Sequence, residues 1–421
     1  MLFPVLRTAI GLTAFTAACA VGAPSALRFS FSAAGDAPGR IRVPMGAEFE
    51  EAAGFGFDRP ASLQPGATAF AVAVPDGNYR VTVTLAPTGA QAALTVKAQA
   101  RRLMIEAVKT PAGGESRRTF LVNVRQPTLL AGGRVRLDPR EWDAKAGRAL
   151  TPTWDGRLVL TFTGGVRSLA AVDVEPAPTA PTLFIAGDST ATDQSRGPGA
   201  SWGQMLPRWF GATAAVANHA ESGETLGGFL REGRWQKVLE SVRPGDWVLI
   251  QFGTNDSKAH GPQNIYPGQD FSETYAPAAG LYRQLLSRFI REARVRGALP
   301  IILSPSARMG ETPGRRSSLA DYAEAAMETA RTEGVPGIDL NAMGVRLNAA
   351  LGADAARQFA DRTHHVEYGA YLIAECVVEG IRRSGCPLSA LIDPAFGGFD
   401  PDHPHPTPGE FDLPPDNPVA R

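Results

Sequence analysis

The chain has 421 residues, enough for two or three domains. Its 42 Lys and Arg residues match 42 Asp and Glu residues, so the formal net charge is zero, and no run of like charges stands out. That balance argues against nucleic acid or an anionic membrane surface as the main partner.

The first 20 residues read as an export signal. Arg7 supplies a positive n-region, Thr8 to Ala18 an apolar h-region, and Ala18-Cys19-Ala20 a small-residue cleavage site. Thr16-Ala-Ala-Cys19 also resembles a lipoprotein box without its leading Leu. No other stretch is long and apolar enough to span a bilayer, so the mature protein is expected to be secreted or periplasmic. Cys376 and Cys386 remain after cleavage, and either pair in an oxidising compartment or stay free.

Residues 27–176 read as an all-β unit. Short alternating or β-branched runs recur at 27–32, 70–74, 79–85, 93–97, 120–124, 134–137, 157–162 and 169–174, separated by turn signals such as Pro75-Asp-Gly-Asn78. Many short strands so punctuated predict a β-sandwich. Within 79–85, Tyr79, Val81, Val83 and Leu85 share one face, the half-buried pattern. Residues 177–181, in a proline-rich stretch, read as a semi-rigid linker.

From 182 to 386 strand-like runs alternate with helical ones, which predicts an α/β domain with a parallel sheet between helices. Strands are expected at 183–186, 214–217, 247–252, 300–303 and 335–338, and helices near 201–210, 225–242, 274–296, 317–333 and 366–383. In the third helix Leu281, Leu285, Phe289 and Ala293 are spaced as a buried stripe. Residues 387–421, rich in Pro, Asp and Gly, read as an irregular tail, with His403 and His405 solvated rather than metal-bound.

Candidate chemistry falls at successive strand ends, where open α/β sheets place ligand sites. Gly187-Asp-Ser-Thr190 closes the first strand, and Ser189 there is either part of an ordinary turn or a nucleophile. A serine hydroxyl needs an adjacent base; His364 can serve, with Asp361 three residues earlier to hold its tautomer. The backbone N–H groups of Ser189 and Gly223 and the side-chain amide of Asn255 can supply oxyanion donors. Each piece also has a bland reading, as a turn, a helix cap or an Asx-turn; His364 and His365 could alternatively be metal ligands. The elbow-like Gly199-Ala-Ser201-Trp-Gly203 has no strand before it, and Ser201 reads as a helix N-cap.

These four blocks resemble the SGNH, or GDSL, hydrolases. Longer strings, among them Gly187-Asp-Ser-Thr-Ala-Thr-Asp193, Asn218-His-Ala-Glu-Ser-Gly223 and Gln251-Phe-Gly-Thr-Asn-Asp256, are similar to the rhamnogalacturonan acetylesterases. The resemblance implies a flavodoxin-like α/β/α sandwich, preceded here by a galactose-binding-like β-sandwich. It implies Ser189 as nucleophile, Asp361 and His364 as triad partners, and Ser189, Gly223 and Asn255 as the oxyanion hole, with no cofactor. The substrate implied is an acetylated pectic polysaccharide. His219 stands where some members carry Asp, and with His260 and Arg308 it is a candidate substrate contact. Two alternatives stay open. One is deacetylation of another polysaccharide, such as xylan or an exopolysaccharide. The other is an inactive sugar-binding protein that stacks sugars on Trp142, Trp154 and Tyr79.

Overall fold

A computed structural model describes residues 26–405 apart from 32–37, 59–66, 88–92, 110–112, 140, 144, 146–147 and 259–274. The proposed export signal and His260 lie outside the described residues.

The N-terminal strands are β1 (Leu27–Ser30), β2 (Ile41–Arg42), β3 (Phe55–Asp58), β4 (Thr68–Ala73), β5 (Gly77–Leu85), β6 (Ala93–Ala98), β7 (Arg102–Lys109), β8 (Ser116–Val124), β9 (Trp142–Asp143), β10 (Arg148–Ala149), β11 (Arg157–Gly164) and β12 (Leu169–Pro176). They form two five-stranded sheets, in the orders β2-β1-β12-β5-β8 and β3-β4-β11-β6-β7, and a small β10-β9 pair. Period-two patterning decides which side chains face the partner sheet. Tyr79, Val81, Val83 and Leu85 are buried together with Phe70, Phe120, Leu158 and Phe162. On the opposite face of β5, Thr82 meets Thr119 of β8 at 2.9 Å, a cross-strand hydroxyl pair. The expected strand at 134–137 is absent, and Arg134 makes an isolated bridge with Thr128 there.

The stretch read as a spacer is pinned. Ala177 and Ala180 are buried with Leu121 and Ala215, and Asn78 Nδ2 donates to Thr182 Oγ1 at 2.8 Å.

The C-terminal elements are β13 (Thr182–Gly187), α1 (Trp202–Met205), β14 (Ala215–Asn218), α2 (Leu226–Arg231), α3 (Arg234–Ser241), β15 (Trp247–Gln251), α4 (Arg283–Val295), β16 (Leu299–Leu303), α5 (Ala320–Glu333), β17 (Gly337–Ile338), α6 (Leu340–Leu351) and α7 (Glu367–Ser384). The strands form one parallel sheet in the order β14-β13-β15-β16-β17, the 2-1-3-4-5 arrangement of the flavodoxin-like class. Both faces are covered, so its strands are apolar throughout rather than alternating. Leu183 and Ile185 face Trp202, Met205, Leu347 and Ile373. Phe184 and Ala186 face Phe229, Trp235, Phe289 and Ala326.

Several expected elements differ in detail. The helix at 225–242 is two helices, split at Gly233, whose φ of +75° is left-handed. In the third helix an irregular turn at Gly280 precedes α4. Leu281 is 43% exposed, because a strict i, i+4 row drifts by about 40° per step around an α-helix, and the buried stripe is Leu286, Phe289, Ile290 and Ala293. Helix α6 was not expected. The supposed coil after Pro387 is packed as far as it is described: Leu388 and Phe399 are buried, and His405 Nε2 lies 2.9 Å from Glu375 Oε1 on α7. Cys376 is buried and Cys386 half-buried, and the two are not bonded.

Gly203 in α1 marks a tight approach. A Cβ there would sit 2.1 Å from Ala191 O and 2.7 Å from Asn218 Nδ2. Gly203→Ala is therefore expected to destabilise the protein by about 1–3 kcal/mol, as overpacking against backbone does, measured as a lower urea midpoint.

Candidate active site

The sheet brings Ser189, Gly223, Asn255, Asp361 and His364 to one cavity of about 420 Å³ at the carboxyl ends of its strands, walled also by Gln194, Arg196, Ser222, Thr254 and Lys258. Ser189 follows β13 after Gly187, whose missing side chain matters: a Cβ would lie 2.9 Å from Gln251 O. Asp188 is buried and shapes the turn, its Oδ1 accepting the backbone N–H of Thr190 at 2.9 Å. It is not part of the cavity wall.

Two hydrogen bonds link the reactive residues. His364 Nε2 is 2.8 Å from Ser189 Oγ, and His364 Nδ1 is 2.7 Å from Asp361 Oδ2. Asp361 Oδ1 also accepts the backbone N–H groups of Thr363 at 2.7 Å and His364 at 2.8 Å. Burial works to raise the Asp361 carboxyl, but those amides and the imidazole outweigh it and hold it below the usual carboxylate range. Asp361 thus stays ionised and fixes the ring that faces Ser189. The neighbouring His365 has no such place. It is buried, stacks on Phe359 with ring centroids 4.6 Å apart, and burial pushes its pKa down to about 3. Among the described residues no group of three or more His, Cys, Asp or Glu is placed to hold a metal ion.

Gly223 lies in the loop after β14 with φ +86°. The loop is tied to the nucleophile turn, because Glu221 N donates to Gly187 O at 3.1 Å. Asn255 follows β15. Its Nδ2 donates to Glu224 O at 2.9 Å and its Oδ1 accepts from Lys258 Nζ at 2.7 Å. Asp256 staples this segment to the start of α2, accepting from Leu226 N at 3.0 Å and Gly253 N at 3.1 Å. Burial pushes its carboxyl up to about 7.

Two other expected contacts are elsewhere. His219 is 1% exposed and packs against Trp154 and Phe184, away from the cavity. Burial, then Arg125, hold its pKa well below the ordinary histidine value. Arg308 is not among the residues that line the cavity, and its backbone N–H donates to Glu311 Oε2 at 3.0 Å. Ser201 is fully buried, caps α1 and bonds through its hydroxyl to Thr192 O. Trp154 and Tyr79 are buried and offer no stacking face.

The sandwich supports both cavity loops. Arg102, 1% exposed, donates from Nε to Asp193 Oδ2 at 2.8 Å and from Nη1 to Val216 O at 3.1 Å. Arg101 Nη1 donates to Gly199 O at 2.8 Å. Glu141 accepts from Trp154 Nε1 at 2.9 Å and from the buried Arg234 Nη2 at 2.6 Å. Glu221, in the Gly223 loop, is pushed well up by burial and then by the charge of Glu141. Gln194, between Asp193 and the cavity, reaches back to Ser189 O with Nε2 at 3.0 Å. Sequence reading missed Gln194, Arg196 and Lys258; the only signal was their closeness to the first and third blocks.

A family model described as "GDSL-like Lipase/Acylhydrolase family" matches residues 185–368. The rhamnogalacturonan acetylesterase RhgT of Bacillus subtilis is 34% identical over 226 residues, 49% of this chain and 91% of that protein. The probable rhamnogalacturonan acetylesterase YesY of the same organism is 31% identical over 50% of this chain and 96% of its own. A third B. subtilis protein, the uncharacterized esterase YxiM, is 24% identical over 86% of this chain and 92% of its own. With its parallel sheet and strand-end blocks, the chain belongs to the GDSL-like lipase/acylhydrolase family and is an SGNH-type esterase.

Proposed function

We propose that this esterase is exported and removes acetyl groups from an acidic pectic polysaccharide, rhamnogalacturonan, through an acyl-enzyme on Ser189. The observation that carries the reading is the Ser189–His364–Asp361 chain of 2.8 and 2.7 Å bonds on the wall that also holds Asn255 and Gly223. Ser189 Oγ attacks the acetyl carbonyl carbon as its proton passes to His364 Nε2. The tetrahedral oxyanion takes N–H donors from Ser189, Gly223 and Asn255. Collapse leaves acetyl-Ser189, and His364 returns the proton to the departing sugar oxygen. Water, deprotonated by the same nitrogen, then releases acetate.

The names of the two more similar relatives support the substrate class. So does Arg196, an exposed cation on the cavity wall without a carboxylate partner among the described residues. An acidic backbone sugar complements it; a neutral xylan does not. Acetate release from acetylated rhamnogalacturonan is expected to exceed that from acetylated xylan in kcat/KM, with Ser189→Ala protein as the blank. Arg196→Gln should shrink the ratio of the two by about 1.5- to fivefold, the scale of an exposed charge pair, and added salt should shrink it too. Equal rates on both polymers would move the reading to a general polysaccharide deacetylase. Export is tested by sequencing the N-terminus of the mature protein, expected near residue 20.

A further inference from the structure

We infer that Lys258 is a positioning residue of the oxyanion hole, acting through Asn255; this rests on the role proposed above for Asn255. An Asn side chain presents an acceptor on one side and donors on the other, and only the donor side can stabilise an oxyanion. Lys258 decides which side faces the cavity. Its ammonium has hydrogens and no lone pair, so the atom it touches at 2.7 Å must be the amide oxygen, Oδ1. Glu224 O, 2.9 Å away, has lone pairs and no hydrogen, so it takes one Nδ2 hydrogen. The two contacts leave the second Nδ2 hydrogen without a protein partner among the described residues, on a side chain that walls the same cavity as Ser189. A rotated amide would set Oδ1 against Glu224 O and Nδ2 against the ammonium, a donor facing donors.

Lys258 does more than hold the rotamer. A cation on a carbonyl oxygen draws electron density from the amide nitrogen, so Nδ2–H becomes a stronger donor; hydrogen bonds assisted by charge are about twice as strong as neutral ones. The charged neighbours of Lys258 are Asp188, which favours the ammonium, and Arg308, which opposes it; burial is the larger influence and lowers its pKa.

The inference is tested with a small neutral ester, 4-nitrophenyl acetate, so that polysaccharide affinity does not enter. Lys258→Met is expected to lower kcat by about 10- to 100-fold, less than the roughly 100- to 1000-fold of losing a donor outright, with KM within about twofold. Lys258→Arg, which keeps the charge and the donor, should recover most of the loss. In the Asn255→Ala background Lys258→Met should cost almost nothing further, because a residue acting through Asn255 has nothing left to act on. Circular dichroism and the thermal midpoint check that each variant folds, and if Lys258→Met does not, Lys258→Gln takes its place. Multiplicative losses in the double variant, or a rise in KM with kcat unchanged, overturn the inference while leaving the esterase reading in place. If Asn255→Ala itself is silent, the oxyanion role and this inference fall together.

Discussion

Ser189→Ala is expected to lower kcat for acetate release by about four to six orders of magnitude, with KM and the thermal midpoint nearly unchanged. The substitution removes one oxygen from a residue 5% exposed at the floor of an open cavity, so little packing is lost. It removes the atom that forms the covalent bond and leaves His364 Nε2 facing empty space. The members of such a triad act as a unit, and losses are not additive. Ser189→Ala combined with His364→Ala should therefore be only slightly slower than either alone. The measurement is initial acetate release, with purified protein free of contaminating esterase. A folded Ser189→Ala protein within tenfold of the parent rate would move the nucleophile elsewhere, and the buried Ser201 is not a candidate.

Asn255→Ala should lower kcat by about 100- to 1000-fold with little change in KM, because its amide bonds the transition state more strongly than the ester carbonyl of bound substrate. The side chain makes two local bonds, to Glu224 O and Lys258 Nζ, and Lys258 lines the cavity, where solvent can replace the lost partner. Asn255→Asp is the sharper version. It keeps the size and gives Lys258 a carboxylate, but it replaces donors with a negative charge at the oxyanion position. Its kcat should be at least as low as that of Asn255→Ala. A rate equal to the parent's in both variants would leave the hole to backbone N–H groups alone.

The strands that carry the site were legible because a buried parallel sheet demands continuous apolar runs, and Ser189, Gly223 and Asn255 stand in the loops that follow those runs. The Asp361–His364 pair follows no strand; it lies between Gln358 and α7 and was marked by its own spacing. Boundaries failed where one residue changed the geometry. Gly233 splits an otherwise continuous helical pattern. The expected i, i+4 row drifts off the buried face of α4, so its Leu281 end points partly to solvent. Contacts between the two halves were not legible at all. Arg102 and Asp193 are 91 positions apart, and Glu141 and Arg234 are 93 apart; no local pattern announces that a charge on a strand end will meet its partner in another domain. His219 misled for a related reason. It follows β14 directly, but its ring turns to the side covered by the sandwich, into a shell of Trp154, Phe184 and nearby cations. Lys258 carries an ordinary surface residue's chemistry, and only its distance from Asn255 distinguishes it.

The support given by the sandwich bears on how freely the two halves can be recombined. Strand β14 is the border of the parallel sheet, and β8 lies along it, with Leu121 N bonded to Gly211 O at 3.3 Å and Leu121 packed on Ala215. An uncovered border strand is an invitation to pair with another chain, and Asp193 without Arg102 is a carboxylate whose burial no longer has a cation to match it. Exchange of the N-terminal module would therefore have to bring an arginine and a glutamate to the same two places, to meet Asp193 and Arg234.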